Sequence, residues 1–265
     1  HFGKTPPCAN LIIQHQIPTV VVGCRDSFEQ VNGAGIKILQ NAGVDVIVGV
    51  LEKECIELNK RFFTFHQYKR PFIILKWAET ANRFIGSKTE RTLISNTYSN
   101  RKVHQWRVEE AAILVGTNTA LLDNPRLTNR LAVGNNPIRL VIDKHLQIPK
   151  TAHLFNADAT TIVFNYTLHL QEQHIYWYQL KAAEPLLPQI LQACFQLNIQ
   201  SILVEGGATT LQSFIDANLW DEARVIKSKR STNNADIEAP IIDNIETIDN
   251  YSFDSDDIYI YTPKL

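Results

Sequence analysis

Apolar residues along the chain follow two alternating patterns, one typical of strands and one typical of helices. Near the N-terminus, the β-branched runs at 18–24 and 44–50 flank the segment 33–42, whose apolar residues recur at helical spacing. Residues 52–68 continue with a helical pattern that stops before Lys69, Arg70 and Pro71. The sequence therefore predicts a β-α-β unit and a further helix, followed by a domain boundary near residue 69.

The same alternation continues beyond this boundary to the C-terminus. Strands are predicted at 72–77, 112–116, 138–143, 161–165, 201–205, 222–227 and 257–262, and helices at 99–110, 187–197 and 208–217. Alternating strands and helices are typical of an α/β layered sheet with helices on both faces. The polar segment 228–250 has weak periodicity and is predicted to be surface loop.

Composition and charge favour a folded protein that binds small molecules. The 265 residues are 45% hydrophobic and 20% charged, which is close to the globular average. The net charge of -1 gives no global field to attract nucleic acid or anionic lipid. No apolar run approaches the roughly 20 residues that span a bilayer, so no transmembrane helix is predicted.

The cysteines bear on the cellular compartment of the protein, and the first residue bears on whether the sequence is a fragment. Cys8, Cys24, Cys55 and Cys194 are widely spaced without a CxxC pair, which predicts neither a disulfide framework nor a zinc knuckle and fits a reducing cytoplasm. The sequence contains no Met and begins with His1, so we expect a fragment or a chain that lacks some of its residues. A cleaved signal peptide would also leave such a start.

Several polar residues follow predicted strands. Gly116 and the hydroxyls of 117–119 stand at a predicted helix start, where either an anion or an ordinary N-cap is expected. Glu205 precedes two glycines, which allow either close approach to a diphosphate or a tight turn. Lys76 and Asp143 lie at strand ends, either lining a cavity or facing solvent. Together these positions predict one shared ligand cleft.

Five motifs carry a resemblance to a known family. They are HFGKTPPC (1–8), ILKWAETA (74–81), HQWRVEEAAILVGTNTALLDNPRLTNR (104–130), NPIRLVID (136–143) and ILVEGGATTL (202–211). In order and spacing they resemble the bifunctional riboflavin-biosynthesis deaminase/reductase family. The resemblance implies the C-terminal part of a cytidine-deaminase-like zinc domain at 1–69, followed by a dihydrofolate-reductase-like α/β domain at 70–265.

For the second domain, the resemblance implies reduction of a pyrimidine ribosyl phosphate to its ribityl form with NADPH. Lys76 and Glu205 would flank the reacting ribose, and our hypothesis is that they are catalytic, because a paired ammonium and carboxylate can move the protons that ring opening requires. The implied substrate-binding residues of this domain are Lys76, Arg107, Leu127, Arg130 and Glu205, whereas His1 and Lys4 match positions that face the pyrimidine substrate of the first domain. The implied cofactor-binding residues are Glu79, Leu93, Thr119, Asp123, Lys144, Gly207, Ala208, Thr209, Thr210 and Leu211. Forked Arg donors suit a substrate phosphate.

For the first domain, the resemblance implies a zinc site of one His and two Cys, with a Glu that moves the proton. Cys8 matches one of these ligands, and on spacing alone it could equally be a structural thiol. We therefore expect no catalytic zinc and no deamination by the chain as given. The intact bifunctional protein is expected to carry out both steps.

The chain departs from the family pattern at a few positions. Asn82 and Arg83 replace a usual Asp-Gly turn, and Leu93 replaces a Trp that commonly lies on the cofactor. Lys144 replaces a small hydroxyl residue and is a candidate for the 2'-phosphate of NADPH. These departures leave open a reductase-fold scaffolding subunit without activity, and pterin reduction is a third, less favoured reading. The family also implies a homodimer.

Overall fold

A computed structural model describes residues 8–26, 33–90 and 92–264. The chain divides into two compact units, His1–Arg70 and Pro71–Leu265. The predicted alternation of strands and helices is present in both units. No helix in the described ranges is both long enough and apolar enough to cross a membrane.

The first unit contains a small parallel sheet. Its elements are α1 (Cys8–Gln14), β1 (Thr19–Val22), α2 (Ala34–Asn41), β2 (Asp45–Val48), α3 (Glu52–Leu58) and α4 (Lys60–Tyr68). Strands β1 and β2 pair in parallel, as the β-α-β prediction requires. The single helix predicted over 52–68 is wrong, because Asn59 separates α3 from α4. The Asn59 side chain donates to the Cys55 carbonyl at 2.9 Å, and such local bonds compete with helix continuation.

The second unit contains most of the chain's strands. Its strands are β3 (Phe72–Glu79), β4 (Phe84–Gly86), β5 (Ala112–Gly116), β6 (Ile138–Ile142), β7 (Thr161–Asn165), β8 (Leu170–Glu172), β9 (Ile175–Gln179), β10 (Ser201–Val204), β11 (Glu222–Ser228), β12 (Ile237–Glu238), β13 (Ile245–Phe253) and β14 (Asp256–Pro263). Its helices are α5 (Thr97–Glu109), α6 (Thr117–Asp123), α7 (Leu186–Gln196) and α8 (Ala208–Asp216), with a 3-10 turn at His153–Phe155.

In this unit, one sheet of ten strands has the order β13-β14-β11-β3-β10-β5-β6-β7-β9-β8. The strands from β11 to β9 in this order pair in parallel, while the outer strands β14, β13 and β8 pair antiparallel. In the middle of β3, Ile73, Ile74 and Leu75 are all 0% exposed. Helices cover both faces of such a sheet, which explains why the central strands are apolar throughout rather than alternating.

The prediction of surface loop over 228–250 is wrong in part. Strand β13 begins at Ile245 and pairs antiparallel with β14, and β12 pairs with β4. The side chains of β13 are mostly exposed, because this strand lies at the sheet edge. Backbone hydrogen bonds rather than an apolar face stabilise β13, so hydrophobic periodicity gave no sign of it.

We expect Leu140→Ala to destabilise the second unit strongly. Leu140 is 0% exposed at the centre of β6, and truncation of such a side chain leaves a cavity that costs about 2–5 kcal/mol. Val133→Ala is the control, because Val133 is fully exposed and its truncation changes the unfolding free energy by less than about 0.5 kcal/mol. Urea unfolding measures both; equal effects of the two substitutions would contradict the assigned core.

Candidate active site

Four neighbouring strands of the parallel sheet, β3, β10, β5 and β6, present polar residues at their carboxyl ends. Lys76 lies in the second half of β3, and Glu205 directly follows β10. Gly116 ends β5, and Asp143 directly follows β6. Parallel strands place all of these ends at one edge of the sheet, which is where ligands bind in open α/β sheets.

Lys76, Arg107 and Glu205 form a buried ionic cluster at this edge. Arg107, on α5, binds the Glu205 carboxylate through both prongs of its guanidinium, with Nε to Oε1 and Nη2 to Oε2 each at 2.8 Å. The Nζ of Lys76 lies 3.9 Å from Oε2 of Glu205. The three side chains are between 8% and 14% exposed, so solvent screens their charges weakly.

The cluster fixes the charge states of its members. Burial raises the pKa of Glu205, but the charges of Arg107 and Lys76 lower it by more than burial raises it. The net result is a pKa of about 2. Burial lowers the pKa of Lys76 below its ordinary value; Glu205 opposes this shift and Arg107 adds to it. Glu205 is therefore a carboxylate at neutral pH, and Lys76 is a stronger acid than an exposed lysine.

A loop that follows α6 brings a third cation to the cluster. The guanidinium of Arg107 donates to the Thr128 carbonyl at 3.2 Å, and that of Arg130 donates to the same carbonyl at 3.4 Å. Leu127 lies in the same loop, directly before Thr128, and it is 3% exposed with a φ of 49°. The side chains of Lys76, Arg107 and Arg130 outnumber the single carboxylate of Glu205, so this part of the site favours an anion.

The turn between β10 and α8 lies close against β5. A Cβ on Gly206 would come within 2.5 Å of the Val115 Cα, and Gly207 has a φ of 43°. A Cβ on Gly116 would lie 2.7 Å from the Thr210 hydroxyl, and one on Gly207 would lie 3.1 Å from the Thr119 hydroxyl. The starts of α6 and α8 thus lie side by side, with backbone N–H groups and hydroxyls available to a diphosphate.

The other cofactor candidates lie on β3, α6 and α8 and in two loops. Glu79 is 3% exposed and accepts a hydrogen bond from the Trp77 indole at 2.9 Å. Leu93 is 81% exposed, and Lys144 is exposed directly after Asp143. Asp123 ends α6, and the remaining candidates, Ala208, Thr209 and Leu211, lie in the first turn of α8.

Asp143 does not face the cleft. Its two carboxylate oxygens accept the backbone N–H groups of Gln147 and Ile148, at 3.0 and 2.9 Å. The side chain is 2% exposed and closes the turn after β6. Asp143 is therefore a structural residue of that turn, and not the cleft residue or the solvent-facing residue that its position at a strand end suggested.

Arg83 lies in the turn after β3, at a position where the resemblance implies a glycine. It has a φ of 60°, the left-handed conformation that glycine adopts without steric cost. Its guanidinium donates to the Pro240 carbonyl at 2.9 Å, and the Asn82 amide donates to the Thr232 carbonyl at 2.9 Å. These two hydrogen bonds attach the turn to the segment that follows β11.

The residues assigned to the zinc half are placed only in part. His1 and Lys4 lie outside the described residues, and Cys8 is exposed at the first position of α1. Within the described ranges, no three His, Cys, Asp or Glu side chains come together in a way that would hold a metal. A tetrahedral zinc site needs at least three protein ligands, so this donor set does not fit zinc.

The sequence analysis missed two residues of the site, His104 and Thr128. His104 is 1% exposed on α5, three positions before Arg107, and its Nδ1 accepts the Arg130 backbone N–H at 3.0 Å. Helical spacing from Arg107 could have indicated His104, because positions i and i+3 share a helix face. The carbonyl of Thr128 has no sequence signal, since any residue carries one.

Comparison with known proteins identifies the class to which this α/β domain belongs. Residues 71–228 match the family model described as RibD C-terminal domain, and the chain belongs to this family. The riboflavin biosynthesis protein RibD of Aquifex aeolicus is 38% identical over 229 residues, which are 83% of this chain and 64% of that protein. The chain thus spans less than two thirds of this relative.

Two solved structures are similar over almost the whole chain. One is a diaminohydroxyphosphoribosylaminopyrimidine deaminase/5-amino-6-(5-phosphoribosylamino)uracil reductase from Thermotoga maritima, with a TM-score of 0.88 and 32% identity, covering 99% of this chain and 76% of that one. The other is Acinetobacter baumannii RibD, with a TM-score of 0.89 and 26% identity, covering 100% and 78%. These findings confirm the resemblance and the predicted fold class.

We expect Glu205→Gln to destabilise the second unit by about 3–5 kcal/mol, because it leaves Arg107 and Lys76 buried without a counter-charge. Glu184→Gln is the control. It removes an exposed 2.8 Å pair with Lys181, which contributes less than about 1 kcal/mol. Equal losses of unfolding free energy in Glu205→Gln and Glu184→Gln, measured by urea unfolding, would contradict this role of Glu205.

The stability difference between the wild type and Glu205→Gln should depend on pH in a defined direction. The folded-state pKa of Glu205, about 2, lies below its ordinary value of 4.5. The contribution of Glu205 to the free energy of unfolding is therefore complete above pH 4.5 and is lost as the pH falls toward 2. The stability gap between the wild type and Glu205→Gln should therefore narrow in acid.

Proposed function

We propose that the second unit catalyses a reductive step of riboflavin biosynthesis. In this step, NADPH reduces the ribosyl group of 5-amino-6-(5-phosphoribosylamino)uracil to the ribityl form. The buried cluster of Lys76, Arg107 and Glu205, with Arg130 beside it, supports this proposal most directly, because it offers cations for a phosphate and a proton donor in one cleft. The name of the Thermotoga maritima relative supplies the substrate.

Arg130 is the main phosphate ligand in this proposal. Its side chain is exposed, whereas Arg107 already binds Glu205 through two donors. Arg107 then contributes charge and a remaining donor at Nη1, which faces the carbonyl of Thr128. A phosphomonoester carries close to two negative charges at neutral pH, which suits the excess of cations. Leu127 contributes an apolar wall to the same loop.

The nicotinamide cofactor fits the paired starts of α6 and α8. Its diphosphate would contact the backbone and hydroxyls at Gly207, Thr209, Thr210 and Thr119, with Ala208, Leu211, Asp123, Glu79 and Leu93 as further contacts. The close approach of Gly206 and Gly207 to β5 leaves no room for side chains there, as a diphosphate cradle requires. When bound, the cofactor supplies the hydride that reduces the ribose C1'.

Lys76 is the proton donor of the reaction. Opening of the ribose ring to a protonated imine requires one proton at the ring oxygen, and hydride addition at C1' then gives the amine without a further proton. The lowered pKa of Lys76 makes its ammonium a better acid for this step. With a pKa of about 2, Glu205 is a poor base, so its part is to hold Lys76 and Arg107 in place and to balance their charge.

The first unit is, in this proposal, the C-terminal part of a cytidine-deaminase-like domain. In the intact bifunctional protein, that domain would remove the pyrimidine amino group, with Cys8 as one zinc ligand and His1 and Lys4 toward the substrate. The described residues do not provide a zinc ligand set, and we derive no deamination step for this chain. A cytoplasmic homodimer with a small-molecule substrate completes the proposal.

A scaffolding subunit without activity is less well supported. Burial of three ionised side chains without function carries a desolvation penalty that apolar residues would avoid. Arg83, one of the departures from the family pattern, adopts a left-handed backbone conformation that a glycine would also adopt.

Direct assay tests the proposed activity. The purified chain, incubated with NADPH and 5-amino-6-(5-phosphoribosylamino)uracil, should oxidise the cofactor and yield a product two mass units heavier than the substrate. Cofactor oxidation follows from absorbance, and the product from mass spectrometry. Binding of both compounds without any reduced product would favour the scaffolding alternative.

Lys76→Ala should lower kcat by about 10²–10⁴, the usual contribution of a general acid, with little change in the Kd for NADPH. In the wild type, kcat should fall as the pH rises through a pKa below the ordinary 10.5, because Lys76 then loses its proton. Lys150→Ala, which removes an exposed lysine outside the helices and strands, is the control. Survival of turnover in Lys76→Ala would remove it from catalysis.

Lys144→Ala should reduce the preference for NADPH over NADH. Lys144 is exposed next to the end of β6, where its ammonium can reach the 2'-phosphate that distinguishes the two cofactors. The ratio of kcat/KM values for NADPH and NADH measures the preference, with Lys181→Ala as a distant control. If the ratio is the same in Lys144→Ala and wild type, Lys144 has no part in cofactor selection.

A further inference from the structure

His104 connects the two structural elements that carry the arginines of the site. It lies on α5 three residues before Arg107, and its Nδ1 accepts the backbone N–H of Arg130 at 3.0 Å. An acceptor at Nδ1 requires a lone pair there, so the neutral ring carries its proton on Nε2. The imidazole is 1% exposed, which fixes its orientation between α5 and the loop.

The loop needs such an attachment. Asn124 and Leu127 both have positive φ angles, 39° and 49°, which non-glycine residues adopt only when surrounding contacts impose them. Asn129 closes the next turn by donating to the Ala132 carbonyl at 2.6 Å. The Arg130 side chain is exposed and donates to Thr128 of the same loop, so its position follows the position of the loop backbone.

We propose that His104 is a positioning residue, which holds the Arg130 backbone at a fixed distance from Arg107 so that both guanidiniums can receive the 5-phosphate of the substrate. This inference rests on the proposed function. His104 itself contacts neither substrate nor cofactor in this proposal, and it acts through Arg130. The shared carbonyl of Thr128 gives the second connection between the same two arginines.

The surroundings of His104 keep it in the neutral form that this task needs. The charged and polar groups that face it are Arg107 from α5, Arg130 and Asn129 from the loop, and Glu205 from the end of β10. Burial, then Arg107 and Arg130, lower its pKa to about 4, against smaller opposing effects of Glu205 and Asn129. The acceptor at Nδ1 is therefore retained throughout the neutral range.

Three substitutions of His104 test the hydrogen-bond acceptor at Nδ1 separately from the size of the side chain. His104→Asn places an oxygen near the position of Nδ1, His104→Gln places it beyond that position, and His104→Leu removes it. We expect His104→Leu and His104→Gln to raise the substrate KM and the Kd for ribose 5-phosphate by about tenfold, the typical effect of one lost hydrogen bond. In His104→Asn these values should stay within about threefold, and kcat and NADPH affinity should be nearly unchanged in all three.

His174→Leu is the matched control. Its Nε2 contacts the Phe155 carbonyl at 2.9 Å, and His174 lies before β9, at the opposite end of the parallel strands from the site. The His174→Leu variant should have a lower free energy of unfolding than the wild type and the same substrate KM. If His104→Leu does not fold, the comparison of His104→Asn with His104→Gln decides the question.

Two results would overturn the inference while leaving the proposed function intact. One is a KM in folded His104→Leu or His104→Gln equal to that of wild type. The other is a KM in His104→Asn raised as much as in His104→Gln. A wild-type chain that neither binds ribose 5-phosphate in calorimetry nor reduces the substrate would instead overturn the proposed function, and this inference with it.

Discussion

The site depends on one buried carboxylate, that of Glu205. Two cations from different elements, Lys76 from β3 and Arg107 from α5, meet this group at the end of β10. None of the three charges would be stable at this depth alone, because each ion loses several kcal/mol of hydration on burial. The cluster therefore positions helix and strands relative to each other, and it keeps an ammonium and guanidinium groups at the point where we propose that a phosphorylated sugar binds.

The parallel sheet supplies the remaining geometry. Because β10 lies between β3 and β5, Glu205 at the end of β10 meets Lys76 of β3, and the turn after Glu205 lies against β5. Gly206 allows that close approach, which brings the starts of α6 and α8 together. A cofactor diphosphate at the helix starts and a substrate at the cluster would then occupy neighbouring positions, as hydride transfer requires.

Sequence reasoning located what depends on strand position and missed what depends on loops and edges. Lys76 and Glu205 were placed at strand ends by periodicity, and the parallel sheet brings them within 3.9 Å. Asp143 had the same pattern, yet it closes its own turn, because a carboxylate after a strand can accept nearby backbone N–H groups equally well. The edge strand β13 has no apolar face, and the bond from Arg130 to His104 spans a loop whose path no periodicity describes.

A crystal structure of the chain with NADP and ribose 5-phosphate would test the central claim most directly. The account predicts the phosphate between the guanidiniums of Arg130 and Arg107, the sugar C1 beside the Lys76 ammonium, and the diphosphate at the starts of α6 and α8. A sugar phosphate bound elsewhere, with the cluster of Lys76, Arg107 and Glu205 closed and without ligand contacts, would contradict it.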